Sequence, residues 1–161
     1  MRLYLVRHGI AEDHHPLSDA QRALTPRGRL KMAEAAKGLS KIKVRPDLIL
    51  TSPLRRAMET ASILADGLGG IRIEQLRELG QGPYQPADIV EAIRPYNELK
   101  EVALVGHQPG LGELAAFMLT GSSSGCEIEF KKGSVVCLDR LPGNDRCVLA
   151  WSLPPRILRS L

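Results

Sequence analysis

The chain has 161 residues, 43% of them hydrophobic, and its 22 basic and 18 acidic side chains give a formal charge of +4. That length predicts a single domain within the usual range of roughly 100 to 200 residues, with enough apolar content for a core. No apolar run approaches the ~20 residues of a membrane span, and MRLYLV is too short for a leader and lacks a small-residue cleavage site, so a cytoplasmic protein with no membrane partner is expected. The basic residues are scattered and only 4% of the chain is aromatic. Without a stacking platform or basic helix, no nucleic-acid partner is expected, and the mild positive excess is read as attraction for an anionic substrate. The odd set Cys126, Cys137 and Cys147 has no close pairing, which fits reduced thiols.

In chain order, Arg2 to Val6 is an apolar run suited to a strand buried on both faces. Thr25-Pro26 reads as an N-cap followed by proline at the first helical position. It opens a helix to about Lys41 with Leu30, Ala33, Ala36 and Leu39 at helical spacing. Asp47 to Thr51 is a second buried strand, and Ser52-Pro53 repeats the cap-then-proline start for a helix carrying Leu54, Ala57, Met58, Ala61 and Leu64 to near Gly67. Ile71 to Glu74 is a short strand, followed by the loop GQGPYQP and a helix around Ala87 to Arg94. Val102 to Val105 is a further buried strand, running into Gly106-His107-Gln108-Pro109-Gly110 and a helix with Leu111, Leu114, Ala115 and Met118 on its face. Ile128 to Phe130, Ser134 to Leu138 and Val148 to Trp151 read as strands, separated by turns at Lys132-Gly133 and Pro142-Gly143-Asn144-Asp145. Strands alternating with helices predict an α/β fold with a mostly parallel sheet, helices on both faces, and antiparallel strands toward the C-terminus.

Ligands of open α/β sheets collect beyond the carboxyl ends of the strands, so the residues just after each strand are the informative ones. Here they are Arg7-His8-Gly9, Ser52-Pro53-Leu54-Arg55-Arg56 and Gly106-His107. Arginine's fork of donors and the N–H groups of a helix N-terminus suit phosphate oxygens. A neutral imidazole is a competent nucleophile toward phosphorus, and surrounding positive charge helps keep it neutral. Taken alone, a histidine at a strand end is more often structural, and Arg7 and Arg56 could be surface charges. It is the set that points to phosphoryl transfer. His14-His15 has no further His or Cys at ligand spacing, so neither a metal nor another cofactor is expected. The glycines of GHQPGLG complete no nucleotide-binding pattern and read as a tight strand-to-helix turn.

RHG after the first strand, SPLRRAMETA after the second and GHQPG after a later one together resemble the histidine phosphatase superfamily, the phosphoglycerate mutase-like fold. The small size, and RALTPRG ahead of the first helix, look most like SixA-type phosphohistidine phosphatases. The resemblance implies that His8 is the nucleophile that becomes phosphorylated, that Arg7 holds phosphate oxygens beside it and that His107 is the second catalytic histidine. The family's helix arginine directly precedes alanine, which implies Arg56 and leaves Arg55 as a neighbour. Arg22, in RALTPRG, is implied as a further phosphate contact. Glu78, in RELGQG, is nearest to the glutamate that many members place after the third strand as general acid, with Glu12 and Asp13 as rivals on the first loop.

General acid catalysis contributes typically about 10² to 10⁴ in rate, and an alkoxide needs it more than imidazole does. The expected activity is therefore a phosphatase working through phospho-His8 on phosphohistidine of a protein partner, of histidine-containing phosphotransfer or phosphocarrier type. The alternatives are a phosphatase or mutase acting on a small phosphate ester, and a phosphate-binding module without turnover.

Overall fold

The structure, a computed structural model, describes residues 1–161. It is built on one six-stranded sheet. The strands are β1 (Arg2–Arg7), β2 (Leu48–Thr51), β3 (Ile73–Gln75), β4 (Glu101–Gly106), β5 (Val135–Arg140) and β6 (Cys147–Leu153), and the helices are α1 (Pro26–Lys41), α2 (Arg55–Gly67), α3 (Pro86–Ile93), α4 (Gly110–Thr120) and α5 (Pro155–Leu158). The spatial order is β3-β2-β4-β1-β5-β6. β3, β2, β4 and β1 run parallel, and β5 and β6 add antiparallel neighbours at the β1 side. This is the mostly parallel α/β fold expected, and no helix is long and apolar enough to cross a membrane.

The apolar runs become strands because both faces of the sheet are covered. Along β1, Leu3 and Leu5 enter one core with Ile89, Val90 and Ile93 of α3 and Leu111, Leu114 and Met118 of α4. The alternate residues Tyr4 and Val6 enter a second core with Met32, Ala35, Ala36 and Leu39 of α1 and Ala57, Ala61 and Leu64 of α2. Strand residues on either side of the pleat thus find a partner layer, and burying each large aliphatic side chain contributes roughly 1.5–3 kcal/mol.

Helix α1 starts as expected: Thr25 Oγ1 accepts from the Gly28 amide at 2.9 Å and Pro26 is the first helical residue. Its buried stripe, however, runs through Met32, Ala35, Ala36 and Leu39, and Leu30 is 61% exposed. Leu30 keeps helical spacing with Ala33 but lies outside the stripe that α2 covers. Ser52-Pro53 is not the helix start predicted from sequence; α2 begins at Arg55. The Ser52 amide still donates to Val105 O at 2.9 Å in the sheet ladder, so the chain cannot turn helical until two residues later. Met58 on α2 is also exposed.

Ile128 to Phe130, predicted as a strand, is an irregular segment. Phe130 is fully buried, but the carbonyls of this stretch are taken by side chains: Ile128 O accepts from Gln108 Nε2 and Phe130 O from Arg7. A backbone whose acceptors serve the loops beside the sheet has none left for a ladder. β3 lies at Ile73–Gln75, two residues beyond the start expected. Cys137 and Cys147 are buried, Cys126 is half-buried, and all three are free thiols.

Candidate active site

The strand order brings the three motifs together. β4 lies between β1 and β2, with Val105 paired to Val6 on one side and to Thr51 on the other. The next residues of each chain segment therefore leave the sheet side by side: the His8 amide donates to Gly106 O at 3.1 Å, and Ser52 to Val105 O.

His8 is 5% exposed. Its Nδ1 lies 2.7 Å from the carbonyl oxygen of Gly9. A carbonyl only accepts, so Nδ1 carries the proton and Nε2 of the neutral ring keeps its lone pair. Burial, reinforced by His107, Arg56 and Arg7, lowers the His8 pKa to about 3, so the ring is neutral near pH 7. Gly9 is itself held, its amide donating to Thr60 Oγ1 at 3.0 Å while that hydroxyl donates to Arg56 O at 2.7 Å. The α2 helix thereby fixes both the backbone behind the nucleophile candidate and the arginine in front of it.

His107 stands with its ring centroid 5.0 Å from that of His8, at an interplanar angle of 55°. Its Nε2 is 2.7 Å from Ser52 Oγ, and its Nδ1 is buried with no protein partner. Burial first, then the charge of Arg56, lowers its pKa to about 4.

Arg56, only 3% exposed, donates from Nε to His8 Nε2 at 3.3 Å, from Nη1 to Asp19 O at 2.9 Å and from Nη2 to Asp19 Oδ2 at 3.0 Å. Arg7 is anchored by its donation to Phe130 O, and its Nε is buried without a protein partner. Arg22 reaches the same cluster, its Nε 2.9 Å from Asp19 Oδ1 and its Nη1 donating to Asp13 O. The structure thus gathers His8, Arg7, Arg56, His107 and Arg22 at one edge of the sheet. Arg55 points away and pairs with Glu59 at 3.0 Å.

The acid candidates separate. Glu78, on a single helical turn at Arg77–Leu79, lines a cavity of about 280 Å³ together with His107, Tyr84, Ile89 and Leu111, and pairs with Arg77 at 2.9 Å. Glu12 instead accepts from the Ala23 amide at 3.1 Å, and Asp13 is exposed, contributing to the cluster only its carbonyl. His14 is exposed on the same loop, and His15 Nδ1 accepts from the Leu17 amide.

Four participants are absent from the sequence reading: Ser52 and Thr60 as hydrogen-bonding residues, Asp19, and Gln81, whose Nε2 donates to Asp19 Oδ2 at 2.8 Å. Ser52 and Thr60 lie inside the motif SPLRRAMETA, so a signal for them existed. Asp19, in a single helical turn, and Gln81, in a loop, are 62 residues apart, and no local pattern joins them.

An uncharacterized protein of Picosynechococcus sp. is 35% identical to this chain over 145 residues, covering 86% of this chain and 84% of its own length. The solved structure of the protein histidine phosphatase SixA complexed with tungstate superposes with a TM-score of 0.81 at 24% identity, covering 97% of this chain and 98% of that one. The alpha-ribazole phosphatase from Shigella flexneri superposes with a TM-score of 0.78 at 19% identity, covering 96% and 97%. At these identities the two superpositions speak for a common fold. The model of the histidine phosphatase superfamily (branch 1) matches residues 3–113, a span that contains His8, Arg56 and His107. The chain belongs to the histidine phosphatase superfamily.

Proposed function

We propose that the chain is a phosphatase that passes a phosphoryl group through His8, and that its substrate is phosphohistidine on a protein. The observation that carries the reading is the commitment of His8 Nδ1 to Gly9 O, which leaves the Nε2 lone pair among Arg7, Arg56 and His107. In the first step Nε2 attacks phosphorus, a P–N bond to His8 forms and the bond to the leaving group breaks. In the second, water attacks phosphorus, the bond to His8 breaks and inorganic phosphate leaves. The guanidinium groups and His107 Nδ1, with no protein partner of its own, serve the equatorial oxygens in both steps. His8, neutral because it is buried, is ready to attack without losing a proton first.

Two features support a protein-borne imidazole as leaving group. The cavity beside His107, about 280 Å³, has room for a side chain such as an imidazole. The segments joining the motifs are also short, with nothing longer than a single helical turn between β3 and α3, which favours approach by a macromolecule.

A second reading, a small phosphate ester, is favoured by one observation: Glu78 lines the same cavity as His107, where an acid could protonate an alkoxide. Radiolabelled phosphate from a phosphohistidine substrate should be trapped on the enzyme as an acid-labile adduct on His8 and be lost in His8→Ala. Label on any other residue sinks the mechanism. Glu78→Gln distinguishes the substrates: hydrolysis of phosphoimidazole should change by less than about threefold, whereas a loss of about 10² or more on the preferred substrate would mark a P–O ester.

A further inference from the structure

Asp19 sits in a one-turn helix, Asp19–Gln21, and its carboxylate is the meeting point of three segments. Oδ2 accepts from Arg56 Nη2 at 3.0 Å and from Gln81 Nε2 at 2.8 Å, and Oδ1 lies 2.9 Å from Arg22 Nε. It is the only carboxylate paired with Arg56, whose side chain is 4% exposed. A cation so far from water needs a counter-charge, and here the protein supplies one. Hydrogen bonds from Arg56 and Gln81 and the charges of Arg56 and Arg22 outweigh partial burial and hold the carboxyl below its usual range, so Asp19 is an anion at neutral pH.

These contacts bear on phosphate. Of the five N–H donors of a guanidinium, Arg56 gives one to His8 Nε2 and two to Asp19, which leaves two. A phosphoryl group in line with His8 Nε2 needs that lone pair free of Arg56 and needs the guanidinium re-aimed at its oxygens, and it meets Asp19 already on both Arg56 and Arg22. Resting on the reading of this cluster as a phosphate site, we infer that Asp19 is an internal competitor for Arg56 and Arg22 that weakens oxyanion binding and so speeds release of inorganic phosphate. Three arginines gathered in one cluster would otherwise hold the product tightly. One fixed carboxylate brings the nearby charge of Arg7, Arg22 and Arg56 from +3 to +2, a match for a phosphate dianion that still lets it go.

The side chain of Asp19 is 45% exposed, so its repulsion of a bound dianion is screened, and the effect is roughly tenfold rather than thousands. Titrating inorganic phosphate into wild type, Asp19→Asn and Asp19→Ser by calorimetry, and measuring product inhibition in each, tests this. Both variants should bind phosphate roughly tenfold more tightly, with the inhibition constant falling in step. A carboxylate that merely held Arg56 in place would act in the opposite sense, since a loosened guanidinium binds phosphate less well. Equal or weaker affinity in both variants overturns the role of Asp19 while leaving the phosphate site intact. Failure of the wild type to bind phosphate at all overturns the site itself, and the inference with it.

Discussion

Two neutral histidines, His8 buried and His107 half-buried, should make this protein acid-sensitive in a range where its carboxylates are still ionised, and replacing one of them should remove half of that sensitivity. His8 is lowered to about 3 and His107 to about 4, each chiefly by burial, against an ordinary value of about 6.5. The sign follows from proton counting. Between these values the unfolded chain binds protons that the folded one refuses, so stability is full above about pH 7 and falls as pH falls. At pH 5 each unfolded imidazole lies about 1.5 pH units below its midpoint while its folded counterpart is still largely neutral, so each costs ~2 kcal/mol, at 1.36 kcal/mol per pH unit. This figure barely depends on the folded-state pKa so long as that value stays well under 5. Wild type should therefore lose ~4 kcal/mol between pH 7.5 and pH 5 from this pair, and His8→Asn ~2 kcal/mol. Asparagine keeps a donor for the Gly9 carbonyl, so the backbone contact survives the change. Urea unfolding at the two pH values measures both losses, and any contribution of the carboxylates is common to both proteins. If the variant loses as much stability as wild type, His8 titrates in the folded protein as it does in water, and the case for a buried neutral nucleophile fails.

Thr60→Val removes the acceptor of the Gly9 amide at 3.0 Å and should cost about 1–3 kcal/mol in urea unfolding. Because Gly9 carries the carbonyl that fixes the His8 tautomer, kcat should also fall by more than KM changes, and an unaltered kcat would show that this tether does not matter to the nucleophile. Gly28→Ala would set a Cβ 2.0 Å from the carbonyl oxygen of Ile10, where α1 meets the loop after β1. The backbone cannot yield there without parting the two, so a fall in Tm of about 5 °C or more is expected by calorimetry, and an unchanged Tm would refute so close an approach.

Much of this molecule was legible because its strands are buried on both faces and announce themselves as unbroken apolar runs: Arg2 to Val6, Asp47 to Thr51 and Val102 to Val105 all fall within a residue or two of β1, β2 and β4. The motif after each strand was legible for the same reason, since the ends of parallel strands mark where a site forms. Errors arose where a local preference met a tertiary claim. Ser52-Pro53 has the chemistry of a helix start, but Ser52 is still engaged in the sheet and its hydroxyl serves both the Leu54 amide and His107. Ile128 to Phe130 has a strand's alternation, but Arg7 and Gln108 claim its carbonyls. Leu30 has a helix's spacing, yet it lies on the face of α1 turned to solvent. The positive half of the cluster could be read from motifs, most of them beside strands, whereas Asp19 and Gln81, its countercharge and the support for that countercharge, come from connecting segments whose positions only the folded chain defines.

That division has a physical basis in how the cluster is assembled. His8 and Ser52 are placed by ladder hydrogen bonds that continue past the strands, to Gly106 O and Val105 O, and His107 directly follows Gly106 of β4, so their relative positions depend little on the lengths of the intervening loops. Arg56 is placed differently, by a helix whose own start is delayed until the sheet releases Ser52. A helix whose first residue was Pro53, two residues earlier, would turn position 56 through roughly half a circle relative to the chain entering it, at 3.6 residues per turn. The pairing of Ser52 with Val105 O therefore does more than extend β2: it sets the phase of α2, and with it which of the two adjacent arginines faces His8 and which pairs with Glu59 at the surface.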